Sequence, residues 1–237
     1  MILRAGTSGF AFKEWKGPFY PEKIKDTEML AFYASKFPTV EINNTFYRLP
    51  KEQMLADWGA QVPDGFSFSI KASQRITHHT RLKPESYDTT DFLLKTTAAL
   101  GPKLGPILFQ LPPNLKIEVE RLKTFLGRLP RDRRYTVEFR HESWFEPAVF
   151  DALREHNVPL CICEQEDFKA PVVATADWGY VRLHRLDYDG AQLADWARQV
   201  KAQSWSDAYV VFKHDEGAGS GPPAVSAFVK ACEVPSA

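Results

Sequence analysis

Eight short apolar runs, each bounded by turn-forming residues, alternate with segments of helical periodicity along this chain of 237 residues. The predicted strands cover residues 2–7, 39–43, 66–71, 107–111, 135–140, 160–164, 180–184 and 208–213. Because a strand that is followed by a helix must return by a crossover, these strands are predicted to be parallel. Eight such units in about 250 residues is the size of a closed (β/α)8 barrel.

The segments between the strands predict helices at residues 27–36, 51–60, 87–100, 117–129, 147–156, 191–203 and 223–232. Near residues 170–176, after the sixth strand, we expect only a short or irregular helix. An open doubly wound sheet is the alternative, although no Gly-x-Gly-x-x-Gly follows the first strand. No linker, repeat or low-complexity tract divides the chain. We therefore predict an α/β protein in which residues 1–237 form a single TIM-barrel domain.

Composition narrows the possible partners. Lys plus Arg and Asp plus Glu each number 30, so no overall charge indicates nucleic acid or an anionic membrane. The opening MILRAGTSGF is too short and too polar for a signal peptide or a membrane span. The three cysteines form no secreted disulfide framework. We expect a cytoplasmic protein with no membrane partner, and the oligomeric state stays open.

Alternation along the strands predicts which side chains face the barrel axis. Apolar residues such as Val40, Ile42, Val137 and Phe139 mark the face that meets the helices. The side chains predicted to point inward are Arg4, Gly6, Ser8, Glu41, Asn43, Ser67, Ser69, Lys71, Gln110, Thr136, Glu138, Arg140, Arg182, His184 and Lys213. Two carboxylates against five Lys and Arg side chains predict a partly cationic mouth at the C-terminal ends of the strands. Such a mouth needs an anionic ligand, solvent access or both. A structural ion network that fills the barrel is the alternative.

Two loops add possible anion contacts. Residues 73–83, SQRITHHTRLK, contain Arg75, Arg81 and Lys83 and no acidic residue, although they could equally form an exposed charged loop. The last loop, KHDEGAGSGPPA, is glycine-rich and leads into a helix that begins near Pro222-Pro223, with Ser220 as its expected N-cap. Its place after the eighth strand is typical of barrel phosphate sites.

The strand ends and the loops also contain possible metal ligands and possible stacking side chains. Glu41, Glu138, His141, Glu164, His184, His214 and Asp215 lie near predicted strand ends and could bind a metal. Lys and Arg alternate with them, however, and no His-Glu-x-x-His occurs, so we predict no metal and no cofactor. Cys161 and Cys163 are expected to pack as small hydrophobes. The loop aromatics, several of which could stack on a sugar or a base, are Phe10, Phe12, Trp15, Phe19, Tyr20, Phe46, Tyr47, Trp144 and Phe145.

Six motifs occur in the order GTSGF…EWKGPFYP, FPTVEINNTFYRLP, FSFSIKAS, LGPILFQLPP, YTVEFRHESWF and YVRLH. Together they resemble the domain-of-unknown-function-72 family, also called YecE-like, over nearly the whole chain. The resemblance implies a TIM-barrel fold and shared positions, but no reaction. The matching positions are Thr7, Ser8, Gly9, Trp15, Glu41, Asn43, Thr45, Phe46, Tyr47, Arg48, Lys71, Gln110, Pro112, Glu138, Arg140, His141, Trp144, Arg182 and His184. Phe10 stands where the family usually has Trp, and Lys213-His214-Asp215 stands where many members have Asn.

The sequence favours an enzyme of hydrolase or lyase type that acts on an anionic, phosphate-bearing sugar or nucleotide-like substrate. Glu138 is the predicted acid or base, Lys71 a second proton carrier or electrostatic stabiliser, and Glu41 a third catalytic candidate. The predicted substrate-binding residues are Ser8, Asn43, Tyr47, Gln110, Arg140, His141, Trp144, Arg182, His184 and Lys213, with Arg140 and Arg182 as anion clamps. The alternative is a non-catalytic or metal-dependent nucleic-acid-binding barrel that uses the 73–83 loop and the mouth aromatics.

Overall fold

A computed structural model describes residues 1–213 and 221–234, and these contain eight parallel strands in one sheet of order β5-β4-β3-β2-β1-β8-β7-β6. The strands are β1 Ile2–Ser8, β2 Thr39–Ile42, β3 Ser67–Lys71, β4 Leu104–Gln110, β5 Tyr135–Glu138, β6 Cys161–Glu164, β7 Gly179–Leu183 and β8 Asp207–Phe212. The two edge strands meet through a bridge between Val137 and Leu160, which brings the sheet round into a nearly closed barrel. The predicted (β/α)8 TIM barrel is confirmed, and the alternative open sheet is wrong.

Helices connect successive strands at every crossover except the sixth. They are α1 Met29–Ala34, α2 Asn44–Tyr47, α3 Glu52–Gln61, α4 Tyr87–Thr97, α5 Val119–Arg128, α6 Pro147–Glu155 and α7 Gly190–Lys201, and α8 Gly221–Glu233 follows the last strand. Residues 165–178 contain no helix, so the irregular helix expected there does not form. Pro171 and the β-branched Val172 and Val173 disfavour a helix at this point. The chain instead bridges back to β6, where Lys169 pairs with Glu164.

The alternation of side chains divides the interior into two apolar clusters. Val40 and Ile42 belong to the large cluster between barrel and helices, whereas Glu41 between them faces inward and is fully buried. The smaller cluster, inside the barrel, contains Leu108, Cys161, Cys163, Ala170, Trp178, Tyr180, Tyr209 and Val211. Burial raises the pKa of the Cys163 thiol to about 12, consistent with its packing as a small hydrophobe. The predicted inward and outward faces are therefore found.

Arg4 lies at the opposite end of the barrel from the mouth. Its guanidinium donates to the Gly65 carbonyl at 2.8 Å and lies 3.9 Å from Asp207, the first residue of β8. Arg134 shares Asp207 at 2.8 Å. Arg4 therefore adds nothing to the charge of the mouth, contrary to the count made from the sequence. Within the described part of the chain, no helix has the length and apolar character needed to cross a membrane.

Candidate functional site

Arg182 of β7 joins two buried glutamates across the barrel interior. Its two terminal nitrogens donate to Glu138 Oε2 at 2.6 Å and to Glu41 Oε1 at 2.8 Å. Glu41 also accepts hydrogen bonds from Tyr180 Oη at 2.8 Å and Ser8 Oγ at 3.0 Å. The strands β2, β5 and β7 each turn one charged residue toward the axis, and each carboxylate finds a charged partner. Buried ions are tolerated only with such pairing.

Glu138 is held as a carboxylate. It accepts hydrogen bonds from Arg140 Nε and, at 3.7 Å, from Cys161 Sγ in addition to the Arg182 bond. Burial alone would raise the pKa of Glu138, but the charges of Arg182 and Arg140 outweigh burial and lower that pKa to about 2. A group that is ionised throughout the neutral range has no proton to give. The role of general acid considered for Glu138 therefore does not fit its surroundings.

Lys71, the last residue of β3, is held differently. Its Nζ lies 4.3 Å from the centre of the Phe46 ring and forms no ion pair with any described residue. Burial, together with the nearby charge of Arg182, lowers the pKa of Lys71 to about 8. With this pKa, an appreciable fraction of the Lys71 amine is uncharged near neutral pH.

Other polar side chains complete the mouth. Burial and the surrounding cations, Arg182 first, lower the pKa of His184 well below its usual value, so its ring is neutral. The buried atoms that have no hydrogen-bond partner in the described structure include His184 Nε2, Asn43 Oδ1 and Arg182 Nε. Gln110 ends β4 beside Glu138, and Lys213 follows β8; both are half-buried. The mouth therefore offers unsatisfied polar groups as well as positive charge.

Two predicted substrate-binding residues, Trp144 and His141, are engaged in contacts within the protein. Trp144 is buried, stacks on Phe139 with ring centres 4.5 Å apart, and donates from Nε1 to the Leu115 carbonyl at 2.7 Å. His141 Nδ1 accepts the Ser143 N–H at 3.1 Å, which caps a short turn. These contacts give Trp144 a packing role and His141 a capping role.

An aromatic groove of about 370 Å³ adjoins the polar mouth. It is lined by Ser8, Gly9, Phe10, Ala11, Phe12, Ile42, Asn43, Asn44, Tyr47 and Trp58. Gly9 turns the chain with a φ of +93°, and a Cβ there would stand 2.7 Å from the Phe12 ring. Tyr47 is 75% exposed, whereas Trp15 and Tyr20, expected at the mouth, are buried. Trp58 was not predicted to line the site, because in the sequence it has the spacing of an ordinary apolar residue of α3.

Of the two loops predicted to contact anions, the structure describes the 73–83 loop and not the glycine-rich loop. In the 73–83 loop, Ile76 and Thr77 are buried, and Arg81 donates to the His78 carbonyl and to Asn114 Oδ1. Arg75, His79 and Lys83 remain exposed there. The glycine-rich loop with His214, Asp215 and Ser220 lies outside the described residues, which resume at Gly221.

Metal ligation finds little support in the arrangement of the mouth. Across residues 1–213 and 221–234, no group of three His, Cys, Asp or Glu side chains is placed to hold a metal ion. Arg182 lies between Glu41 and Glu138 and already engages both carboxylates. A divalent cation between these glutamates would meet its positive charge.

Comparison with known proteins identifies the family. Residues 4–236 match the family described as "Protein of unknown function DUF72". The chain is 26% identical over 246 residues to UPF0759 protein YunF of Bacillus subtilis (strain 168), a match that covers 84% of each chain. A stretch of 114 residues is 36% identical to UPF0759 protein YecE of Escherichia coli (strain K12) and covers 48% of this chain and 42% of that protein.

Solved structures agree with this assignment. The crystal structure of a DUF72 family protein from Thermotoga maritima MSB8 has a TM-score of 0.84 and 25% identity, covering 99% of this chain and 100% of that one. A DUF72 family protein from Enterococcus faecalis V583 shares the fold with a TM-score of 0.78 at 19% identity, covering 100% and 97%. The sequence match over nearly the whole length and the common barrel lead to one conclusion: this chain belongs to the DUF72 family.

Proposed function

We propose that the barrel mouth is the active site of an enzyme, of hydrolase or lyase type, that acts on a substrate carrying a phosphate or carboxylate group. The observation that carries the proposal is the distribution of charge. Arg182 engages both buried carboxylates, so Lys71 and Lys213 are left with no ion-pair partner within the described residues. Positive charge held at a partly buried site is stabilised by an anionic ligand. A plug of mutually paired side chains would leave no such excess.

The environments of the charged residues support distinct roles. Lys71 is the proton-transferring residue in this proposal, because a pKa of about 8 is close to a neutral working pH. Arg140 and Lys213 bind the anionic group at the edge of the mouth. Arg182 is a positioning residue rather than an anion clamp, since its terminal nitrogens already donate to Glu41 and Glu138. The glutamates hold Arg182 in place.

The remainder of the substrate is inferred from the uncharged groups. Asn43 Oδ1 is a buried acceptor without a donor in the described chain, so it suits a substrate hydroxyl or N–H group. The groove beside it exposes Tyr47 and includes Trp58 and Phe10. Aromatic faces of this kind stack on sugars and on bases. A sugar- or nucleotide-like substrate with an anionic group fits both features.

The charge argument is tested by titration calorimetry with inorganic phosphate. Lys71→Met should weaken phosphate binding by about tenfold, equivalent to roughly 1.4 kcal/mol, and Lys213→Met should act in the same direction. The matched control is Lys95→Met, since Lys95 is exposed on α4, away from the mouth. Urea unfolding of each variant verifies that it is folded. Phosphate affinity that is the same in all four proteins would refute an anion site at the mouth.

A nucleic-acid-binding barrel is the second candidate, because Arg75, His79 and Lys83 are exposed on the 73–83 loop. Such a protein would bind arbitrary DNA or RNA with an affinity that falls steeply as salt increases. An Arg75→Ala/Lys83→Ala double variant would then lose nucleic-acid affinity, and Lys71→Met would retain it. Phosphate binding that requires Lys71, without affinity for nucleic acid, favours the enzyme.

A further inference from the structure

The amine of Lys71 has different surroundings from the amines of Lys16 and Lys103, which are also half-buried. Lys103 Nζ donates to the carbonyls of Gly59 and Val62, both at 2.8 Å, and Lys16 Nζ pairs with Asp26 at 2.9 Å. The structure gives Lys71 Nζ no such acceptor among the described residues. Its neighbour is instead the face of the Phe46 ring, 4.3 Å from Nζ.

The surroundings of Lys71 are also fixed in position. Thr45 Oγ1 donates to the Lys71 carbonyl at 2.7 Å, which ties the short helix α2 to the end of β3. The same helix carries Phe46. The two glutamates that could have neutralised Lys71 are held by Arg182 at 2.8 and 2.6 Å. A desolvated lysine beside another cation is the arrangement that yields a nucleophilic amine.

We propose, building on the proposed function, that Lys71 is a nucleophile that forms an imine with an aldehyde or ketone bearing a phosphate or carboxylate group. The Nζ lone pair adds to the carbonyl carbon, and the proton that the amine loses passes to the carbonyl oxygen, which gives a neutral carbinolamine. The hydroxyl then takes up a second proton, from solvent, and leaves as water while the nitrogen lone pair forms the C=N bond of an iminium. One water is released and no oxidant or reductant is required. The resulting iminium withdraws electrons from the adjacent carbon, which favours lyase over hydrolase chemistry.

In this proposal His184 moves the protons of the addition step. Its ring is neutral, its Nε2 has no partner in the part of the chain that the structure describes, and its pKa is lowered in part by the charge of Lys71. A neutral imidazole can accept the proton that the amine loses on addition and pass it to the carbonyl oxygen. The anionic group of the substrate offsets the positive charge around His184 and makes that transfer easier.

Reductive trapping tests the imine. The full chain is incubated with pyruvate or dihydroxyacetone phosphate and sodium cyanoborohydride, and the modified lysine is located by peptide mass spectrometry. Labelling of Lys71 should exceed that of the exposed Lys95 by at least about tenfold, as expected for an amine with a higher uncharged fraction. Acetone, which has the carbonyl group without the anion, should label Lys71 far less. Inorganic phosphate should protect Lys71 from both anionic probes.

The outcomes separate this inference from the function on which it rests. Label spread over surface lysines, with no excess at Lys71, overturns the imine. If phosphate still binds at the mouth in that case, the anion-binding enzyme stands and Lys71 acts only in proton transfer. If phosphate does not bind either, both proposals are wrong. Because the labelled lysine is located in the wild-type protein, the result does not depend on whether Lys71→Met folds. Lys71→Met supplies the blank for the mapping.

Discussion

A buried lysine with a lowered pKa reduces the stability of the fold that contains it. In the unfolded chain Lys71 titrates near the ordinary value of 10.5, and in the folded barrel its pKa is about 8. The folded state therefore binds fewer protons between these pH values. By linkage, the free energy of unfolding rises with pH across this window, and the full cost of the charge is present below pH 8. That cost is on the order of 3 kcal/mol.

Replacement of Lys71 by Met should remove this cost. We expect Lys71→Met to have a higher free energy of unfolding than the wild type at pH 7, by up to about 3 kcal/mol less the lost contact with Phe46. The advantage should shrink as pH rises from 8 to 10.5. Urea unfolding over this range, with Lys95→Met as the control, measures it. A constant difference between wild type and Lys71→Met at every pH would contradict the lowered pKa.

At the scale of elements, period-two alternation was sufficient to predict the inner and outer faces of the strands. Strand ends differ from the prediction by a few residues at most. These differences arise because a strand ends where its neighbour stops pairing with it, and the sequence does not show how far that pairing extends. Helix α2 was missed, since the four residues Asn44–Tyr47 are too few to show a helical period. This short helix matters to the site because it carries Phe46 and Tyr47.

Helix α7 provides a test of local stability. Asp189 accepts the Gln192 N–H at 2.8 Å, and Gln192 Oε1 accepts the Asp189 N–H at 2.9 Å, so the two form a capping box. Asp189→Ala should lower the free energy of unfolding by about 1 kcal/mol. Asp187→Ala, at an exposed position just outside the helix, should change it by less than about 0.5 kcal/mol. Equal effects of the two substitutions on urea unfolding would show that the cap does not stabilise α7.

For the molecule as a whole, the sequence predicted the barrel and the charged layer but not how the charges pair. Alternation assigns a side chain to a face, whereas the pairing depends on its height along the barrel axis. Arg4 and Arg182 both face inward, yet Arg4 pairs at the far end and Arg182 joins Glu41 to Glu138. The hydrogen bond from Trp144 Nε1 to the Leu115 carbonyl could not be predicted either, since the two residues are brought together only by the fold.

The junction between β5 and β6, which closes the barrel and is called the seam below, should be the least stable part of the sheet. Strands β1 and β8 pair continuously from Ile2–Asp207 to Thr7–Phe212, whereas β5 meets the sixth strand through the Val137–Leu160 bridge. The Val137 N–H donates to the Pro159 carbonyl at 3.3 Å. Pro159 has no N–H group, so it cannot donate a hydrogen bond back to β5. Regions with fewer buried hydrogen bonds open at lower free energy.

Native-state hydrogen exchange followed by NMR measures this difference amide by amide. We expect the Val137 amide to exchange at least about tenfold faster than the hydrogen-bonded amides between β1 and β8, because the seam opens without global unfolding. Thr136 Oγ1 also donates to the Pro159 carbonyl, at 3.0 Å. Thr136→Val removes this bond with little change in shape, so exchange at Val137 should quicken further while the β1–β8 amides keep their protection. If Val137 exchanged as slowly as those amides, the barrel would open only as a unit, and the seam would be no weaker than the rest of the sheet.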